Sequence, residues 1–246
     1  MNFIKSLYLS FKKSFTTNED VQKIGIKYAR TLLFFKQRLD RTKFTGLPLS
    51  ILSVVFLYVL SLFIGAVSDF ITSDIIVSAD VRVNTLLYVF RNLSAVKFFI
   101  LVTLLGESLT ITIFAFTISI FLWLSQKKLQ IVGLWFTIIG SAGFTFFAKL
   151  LFHRPRPANA VFLENSYSFP SGHSTIAVAF YGFFAYLLIR QIKNKLYRFL
   201  IVLATIILIL AIGFSRLYLG VHYVSDVWTG YLVGLLWLII GISITK

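Results

Sequence analysis

Apolar residues in this chain gather into six long runs, at about residues 47–67, 98–124, 130–150, 172–189, 199–216 and 225–245, with polar or basic stretches between them. A helix needs about 20 mostly apolar residues to cross a bilayer, and each run approaches or exceeds that length. The pattern predicts an all-α fold, a six-transmembrane-helix bundle forming one membrane domain over residues 44–246. The first run is uncharged from Phe44 to Ser68. It is too long for the apolar part of a signal peptide and follows a polar leader, so it reads as a retained span.

Two segments do not have this character. Residues 1–43 hold ten Lys or Arg against three acids, and Phe3, Ile4, Leu7, Tyr8 and Phe11 recur at helical spacing. That basic segment reads either as an amphipathic helix lying on an anionic leaflet or as a basic tail. Residues 69–97, between the first two spans, carry Val83, Leu86, Leu87, Phe90 and Leu93, which predict the buried face of a short interfacial helix. Basic residues orient the bundle. Seventeen fall on the side of the N-terminal segment, Lys127–Lys128, the Arg190–Arg198 loop and Lys246, and seven on the other. The positive-inside rule makes the crowded side cytoplasmic, with both termini inside.

Composition agrees with a multi-pass protein of the cell membrane. Hydrophobic residues are 58% and charged residues 13%, and mean hydropathy is +0.86, far from ordinary soluble usage. The absence of cysteine excludes disulfides and thiolate metal sites. With three histidines and nine acids, a metal centre is poorly supplied, and no cofactor is implied. A net charge of +15 suits membrane lipids with anionic headgroups rather than nucleic acid, for which no basic groove with stacking aromatics is visible.

The chemistry lies at the outer ends of spans three to six. "KLLFHRPRP" (Lys149–Pro157) leaves span three, "PSGH" (Pro170–His173) enters span four, and "SRLYLGVHYVSD" (Ser215–Asp226) turns from span five into span six. Ionisable groups at membrane depth are costly and default to function. His222 and Asp226 are four apart, so on a helix they share a face and can hydrogen-bond, fixing the tautomer of a basic or nucleophilic imidazole. His173 has no acid at helical spacing and suits a general acid. Lys149, Arg156 and Arg216 near one cavity suit an anion, and arginine's planar fork suits phosphate. Spans four and six also begin here, and helix N-termini attract anions. Ser171 and Gly172 offer a hydroxyl and close backbone approach.

These three segments resemble the signature of the type 2 phosphatidic acid phosphatase family of integral-membrane lipid phosphatases. Lys149 is followed after six residues by Arg156-Pro157; Pro170 to His173 give Pro-Ser-Gly-His; Ser215-Arg216, His222 and Asp226 keep the third spacing. The resemblance implies metal-free hydrolysis through a phosphohistidine. His222 would attack phosphorus, Asp226 would hold it, and His173 would protonate the leaving group. Lys149, Arg156, Ser171, the Gly172 amide and Arg216 would bind the phosphoryl oxygens.

Taken singly, each residue has a quieter reading. The cations can snorkel at helix ends, the prolines can end a helix, and Ser171 or Asp226 can cap one. Their joint occurrence at matching spacing favours catalysis. His153 falls outside the signature, Arg154 is a candidate for a second phosphate or headgroup, and Glu107, the one acid inside a span, is expected to pair with a cation or bond hydroxyls. The expected substrate is a lipid phosphate or diphosphate, undecaprenyl diphosphate ahead of phosphatidylglycerophosphate or phosphatidic acid. An anion-binding transporter or scaffold is the non-enzymatic alternative.

Overall fold

The structure, a computed structural model, describes residues 29–40 and 43–245. The expected amphipathic face at Phe3–Phe11 lies outside the described residues. The chain divides into two compact units, the first reaching Val54 and the second running from Val55.

Among the described residues there are nine helices and no strand: α1 (Ala29–Arg38), α2 (Leu47–Thr72), α3 (Asp74–Val89), α4 (Leu93–Leu104), α5 (Ser108–Leu124), α6 (Lys128–Phe152), α7 (Gly172–Ile189), α8 (Lys195–Tyr218) and α9 (Val224–Ile244). In the first unit, α1 meets the start of α2 through Ser50 Oγ, which donates to the Arg38 carbonyl at 2.9 Å. Five helices, α2 and α6 to α9, are long and apolar enough to span a membrane, and α4 with α5 makes a sixth span if counted together. Side-chain caps set several boundaries. Asn194 Oδ1 accepts from the Leu196 amide at 2.8 Å, so α8 starts four residues before the apolar run it contains.

Two details go beyond the apolar pattern. The run at 98–124 is not one straight helix but two, meeting at 41° across residues 105–107. The break leaves the Leu105 carbonyl outside the helical ladder, where the Tyr181 hydroxyl donates to it at 2.8 Å. At Gly106 the backbone lies against its neighbours: a Cβ there would stand 2.7 Å from Ile212 and 3.3 Å from His173. The second is the side of α3 that meets the bundle. Leu86, Phe90 and Leu93 are exposed and Val83 and Leu87 half-buried, while Asp80 and Asn84 are buried. An ion pair made by Asp80 outweighs the apolar periodicity in setting which side faces the bundle.

The core centres on α7, whose Ala177, Phe180 and Phe183 pack with Ile111, Leu134 and Ile212. Helix α9 crosses it closely because of two glycines. A Cβ on Gly230 would lie 2.7 Å from the Ser171 carbonyl oxygen, and one on Gly234 would lie 2.5 Å from that of Thr175. Small residues four apart permit such backbone approach between membrane helices. The result is functional as well as structural: the Ser171 amide donates to the Asp226 carbonyl at 3.0 Å, locking together the N-termini of α7 and α9.

Candidate active site

Four helix ends meet at one end of the bundle. Helices α6 and α8 finish there with Lys149 and Arg216 in their last turns, and α7 and α9 begin there. Cations suit helix C-termini, and free amides at N-termini suit anions. The Gly172 amide finds no backbone acceptor among the described residues, and a Cβ on Gly172 would meet nothing closer than Thr145 at 3.8 Å. Its small size therefore leaves open space over the helix start.

His222 does not lie on a helix, as its spacing from Asp226 had suggested. It sits in the turn between α8 and α9, and Asp226, in the first turn of α9, reaches back to it: His222 Nδ1 and Asp226 Oδ2 are 3.3 Å apart. The same carboxylate oxygen accepts from the Tyr223 amide at 2.9 Å. The turn passes through Gly220 at φ +67°, with Arg91 packed against it, a left-handed conformation that favours glycine. The other ring nitrogen, His222 Nε2, lies 3.1 Å from Arg156 Nη1. Burial pushes the His222 pKa well below its ordinary 6.5, and Arg216, Arg156 and Lys149 push it the same way. At neutral pH the imidazole is therefore unprotonated, with Nδ1 held and Nε2 presented.

The predicted cations converge beside Nε2. Arg156 is fixed by the Ser166 carbonyl at 2.7 Å and the Val221 carbonyl at 2.6 Å. Arg216 donates to Thr103 Oγ1 at 2.8 Å, and its buried Nε has no partner among the described residues. Lys149 Nζ donates to the Tyr167 carbonyl at 2.7 Å and Ser166 Oγ at 3.1 Å. His173 forms no side-chain hydrogen bond among the described residues and is exposed to the charges of Arg216, Lys149 and Arg156. Ser171 is buried and caps α7: its Oγ accepts from Ser174 Oγ at 3.0 Å and, more weakly, from the Ser174 amide at 3.5 Å. Its hydroxyl proton remains available to an anion.

Sequence reasoning missed Glu164. This loop carboxylate pairs with Arg156 at 2.5 Å and also with Arg216, beside a cavity of about 320 Å³. Burial would raise its pKa, but Arg216 and Arg156 outweigh that and hold it below the usual 4.5. No periodicity marks Glu164; the only signal was an acid in the short loop joining two motifs.

Two other expectations change. Arg154 faces neither a headgroup nor open solvent. It is buried, paired with Asp80 at 2.8 Å and Asp226 at 2.5 Å, because His153 turns left-handed (φ 47°) at the end of α6 and redirects the chain inward. His153 itself is exposed against the edge of Tyr167. Glu107 is exposed at the α4–α5 break and makes no ion pair or side-chain hydrogen bond among the described residues.

The fold and site together define a multi-pass membrane protein with an anion seat built on paired helix ends. Residues 130–246 match the PAP2 superfamily. Over 75 residues the chain is 44% identical to phosphatidylglycerophosphatase B of Bacillus subtilis, a stretch covering 30% of this chain and 36% of that protein. A crystal structure of a transmembrane PAP2-type phosphatidylglycerolphosphate phosphatase from Bacillus subtilis superposes with a TM-score of 0.72 at 24% identity, over 76% of this chain and 94% of that one. Aquifex aeolicus LpxE gives a TM-score of 0.56 at 26% identity, over 67% and 95%.

Proposed function

We propose that the chain is a membrane lipid phosphatase working through a phosphohistidine at His222. Glu164 carries the reading. Its carboxylate is held by the two signature arginines, one of which contacts His222 Nε2 at 3.1 Å. An anion in that seat is within reach of the imidazole. Lys149, Arg156 and Arg216 oppose this one carboxylate, leaving two positive charges in excess. A phosphate monoester, carrying about −1.5 to −2 charge near neutral pH, suits that excess better than a carboxylate does.

In the reaction, the phosphate displaces Glu164 and takes the arginine forks, Lys149, the Gly172 amide and the Ser171 hydroxyl. The His222 Nε2 lone pair attacks phosphorus while the bond to the lipid oxygen breaks. His173 gives that oxygen its proton, and a lipid alcohol leaves. Water then attacks the phosphohistidine, its proton passes to His173, and inorganic phosphate is released. Fixed cations stabilise the charge on the transferring group throughout. Asp226 keeps the His222 proton on Nδ1, so that Nε2 attacks.

The seat suits one terminal phosphate. Arg154, the candidate for a second, is already held by two carboxylates. The names of the Bacillus proteins point the same way, so we put phosphatidylglycerophosphate ahead of undecaprenyl diphosphate, the substrate expected from composition. The count of basic residues supports an outward-facing site with both termini cytoplasmic.

Phosphate release by purified protein in detergent, with chelator present, tests this reading on phosphatidylglycerophosphate, phosphatidic acid and undecaprenyl diphosphate. The expected result is fastest release from phosphatidylglycerophosphate, lost in His222→Ala. A folded protein releasing phosphate from none of them would favour the anion-binding scaffold. Preference for the diphosphate would overturn the choice of substrate alone.

A further inference from the structure

Arg154 is heavily engaged near the site, yet it lies outside the phosphate seat. Its Nη1 donates to Asp226 Oδ1 at 2.5 Å and to Ser225 Oγ at 2.7 Å. Its Nη2 donates to Asp80 Oδ2 at 2.8 Å. The guanidinium is stacked between two rings, 4.7 Å from the centre of Phe70 and 4.2 Å from that of Tyr223. Asp80 completes the frame by accepting from the Ser225 amide at 3.0 Å and from Ser225 Oγ at 2.5 Å. The carboxylate that contacts His222 is therefore gripped from behind by an arginine, itself fixed by an acid on another helix.

We infer that Asp80 and Arg154 are positioning residues for the proposed phosphatase reaction, setting the angle at which Asp226 holds His222 without touching the substrate. Asp226 has one oxygen on Arg154 and the other on His222 and the Tyr223 amide. With both oxygens committed, the carboxylate has one orientation. Without Arg154, Oδ1 loses its charged donor, and the carboxylate, held by the Oδ2 contacts and Ser168, can tilt and carry His222 with it. Lysine keeps the charge but cannot bridge two carboxylates in the plane of a fork between two rings. A displacement of about 1 Å in a reacting group can cost about 10²-fold in rate.

The inference also separates Arg154 from its neighbour two residues on. Arg156 faces the seat, so its loss weakens phosphate binding; Arg154 faces Asp226, so its loss slows the chemistry. The frame joins α3, the loop after α6 and the start of α9, three elements far apart in sequence.

This rests on the phosphatase reading, and the test keeps the two apart. Wild type, His222→Ala, Arg154→Lys, Arg154→Gln, Asp80→Asn and the Arg154→Gln/Asp80→Asn double variant are assayed in detergent. The substrate is whichever lipid the wild type hydrolyses, and inorganic phosphate serves as competitive inhibitor. Inactive wild type sinks the phosphatase reading. Given active wild type, the expectation is kcat lowered about 10- to 100-fold in Arg154→Lys and Arg154→Gln, with KM and the phosphate Ki within about threefold of wild type. Asp80→Asn should lower kcat less, and should add little to Arg154→Gln because both act through one carboxylate. Thermal unfolding identifies any variant that does not fold, and Arg154→Lys and Asp80→Asn then carry the test. Unchanged kcat in folded variants, or a Ki raised tenfold as expected for Arg156→Gln, would overturn the inference.

Discussion

A carboxylate held between Arg156 and Arg216 must leave before a phosphate can enter, so Glu164 raises the substrate concentration the protein needs. Glu164→Gln should lower KM for the lipid and Ki for inorganic phosphate by about tenfold, the worth of a charge-assisted contact of roughly 1.5 kcal/mol. Steady-state kinetics read this directly, and an unchanged or raised KM would count against competition. The acid limb of kcat/KM is a second test. His222 is held unprotonated by burial and by Arg216, Arg156 and Lys149, so activity should persist below pH 6.5 and fall only at lower pH. Stability changes in the same direction. Below pH 6.5 the unfolded chain binds a proton that folded His222 refuses, so unfolding becomes easier as pH falls toward the folded-state pKa. An acid limb at or above 6.5 would show an ordinary imidazole. Among individual residues, sequence spacing revealed those that are covalently close, such as His222 with Asp226. It could not reveal Glu164 or Asp80, whose partners are brought near only by folding.

At the scale of elements, the α7–α9 crossing holds the site in register. Valine at Gly230 would push a side chain into the Ser171 carbonyl, already 2.7 Å from the Cβ position. Overpacking of this kind costs about 1–3 kcal/mol. It should also lower kcat, because Ser171 and Asp226 are tied across the same contact. Gly143→Ala is the control: nothing lies within 4 Å of its Cβ position, so activity should hold. Thermal unfolding and turnover of both variants check the pair, and equal losses would remove the argument from packing. Element ends were legible where a capping residue adjoined an apolar run, as at Ser171. The break at residues 105–107 was not, because both halves are equally apolar and the cause is the packing of Gly106 and Tyr181 rather than composition. The side of α3 that meets the bundle was hidden for a related reason: hydrophobic periodicity does not register a buried acid whose arginine comes from a loop distant in sequence.

For the whole molecule, the six apolar runs were enough to give the all-helical bundle, since span length is a property of the bilayer as much as of the chain. Sidedness rests on the distribution of charge and has a direct test, because the chain has no natural cysteine. Leu163→Cys, in the exposed loop at the site end, should react with an impermeant maleimide in intact cells. Lys193→Cys, in the opposite loop, should react only after permeabilisation. The reverse pattern would turn the site inward. The two loops report independently, so a mixed result would refute the six-span path itself.

The central claim is that His222 Nε2 becomes phosphorylated during turnover, and capturing the phosphoenzyme tests it most directly. Protein mixed with phosphate-labelled lipid would be quenched in alkali within one turnover and digested, and the labelled peptide identified. The account predicts acid-labile label on His222, with both label and turnover absent in His222→Ala. Label on another residue, or turnover that survives His222→Ala, would contradict it.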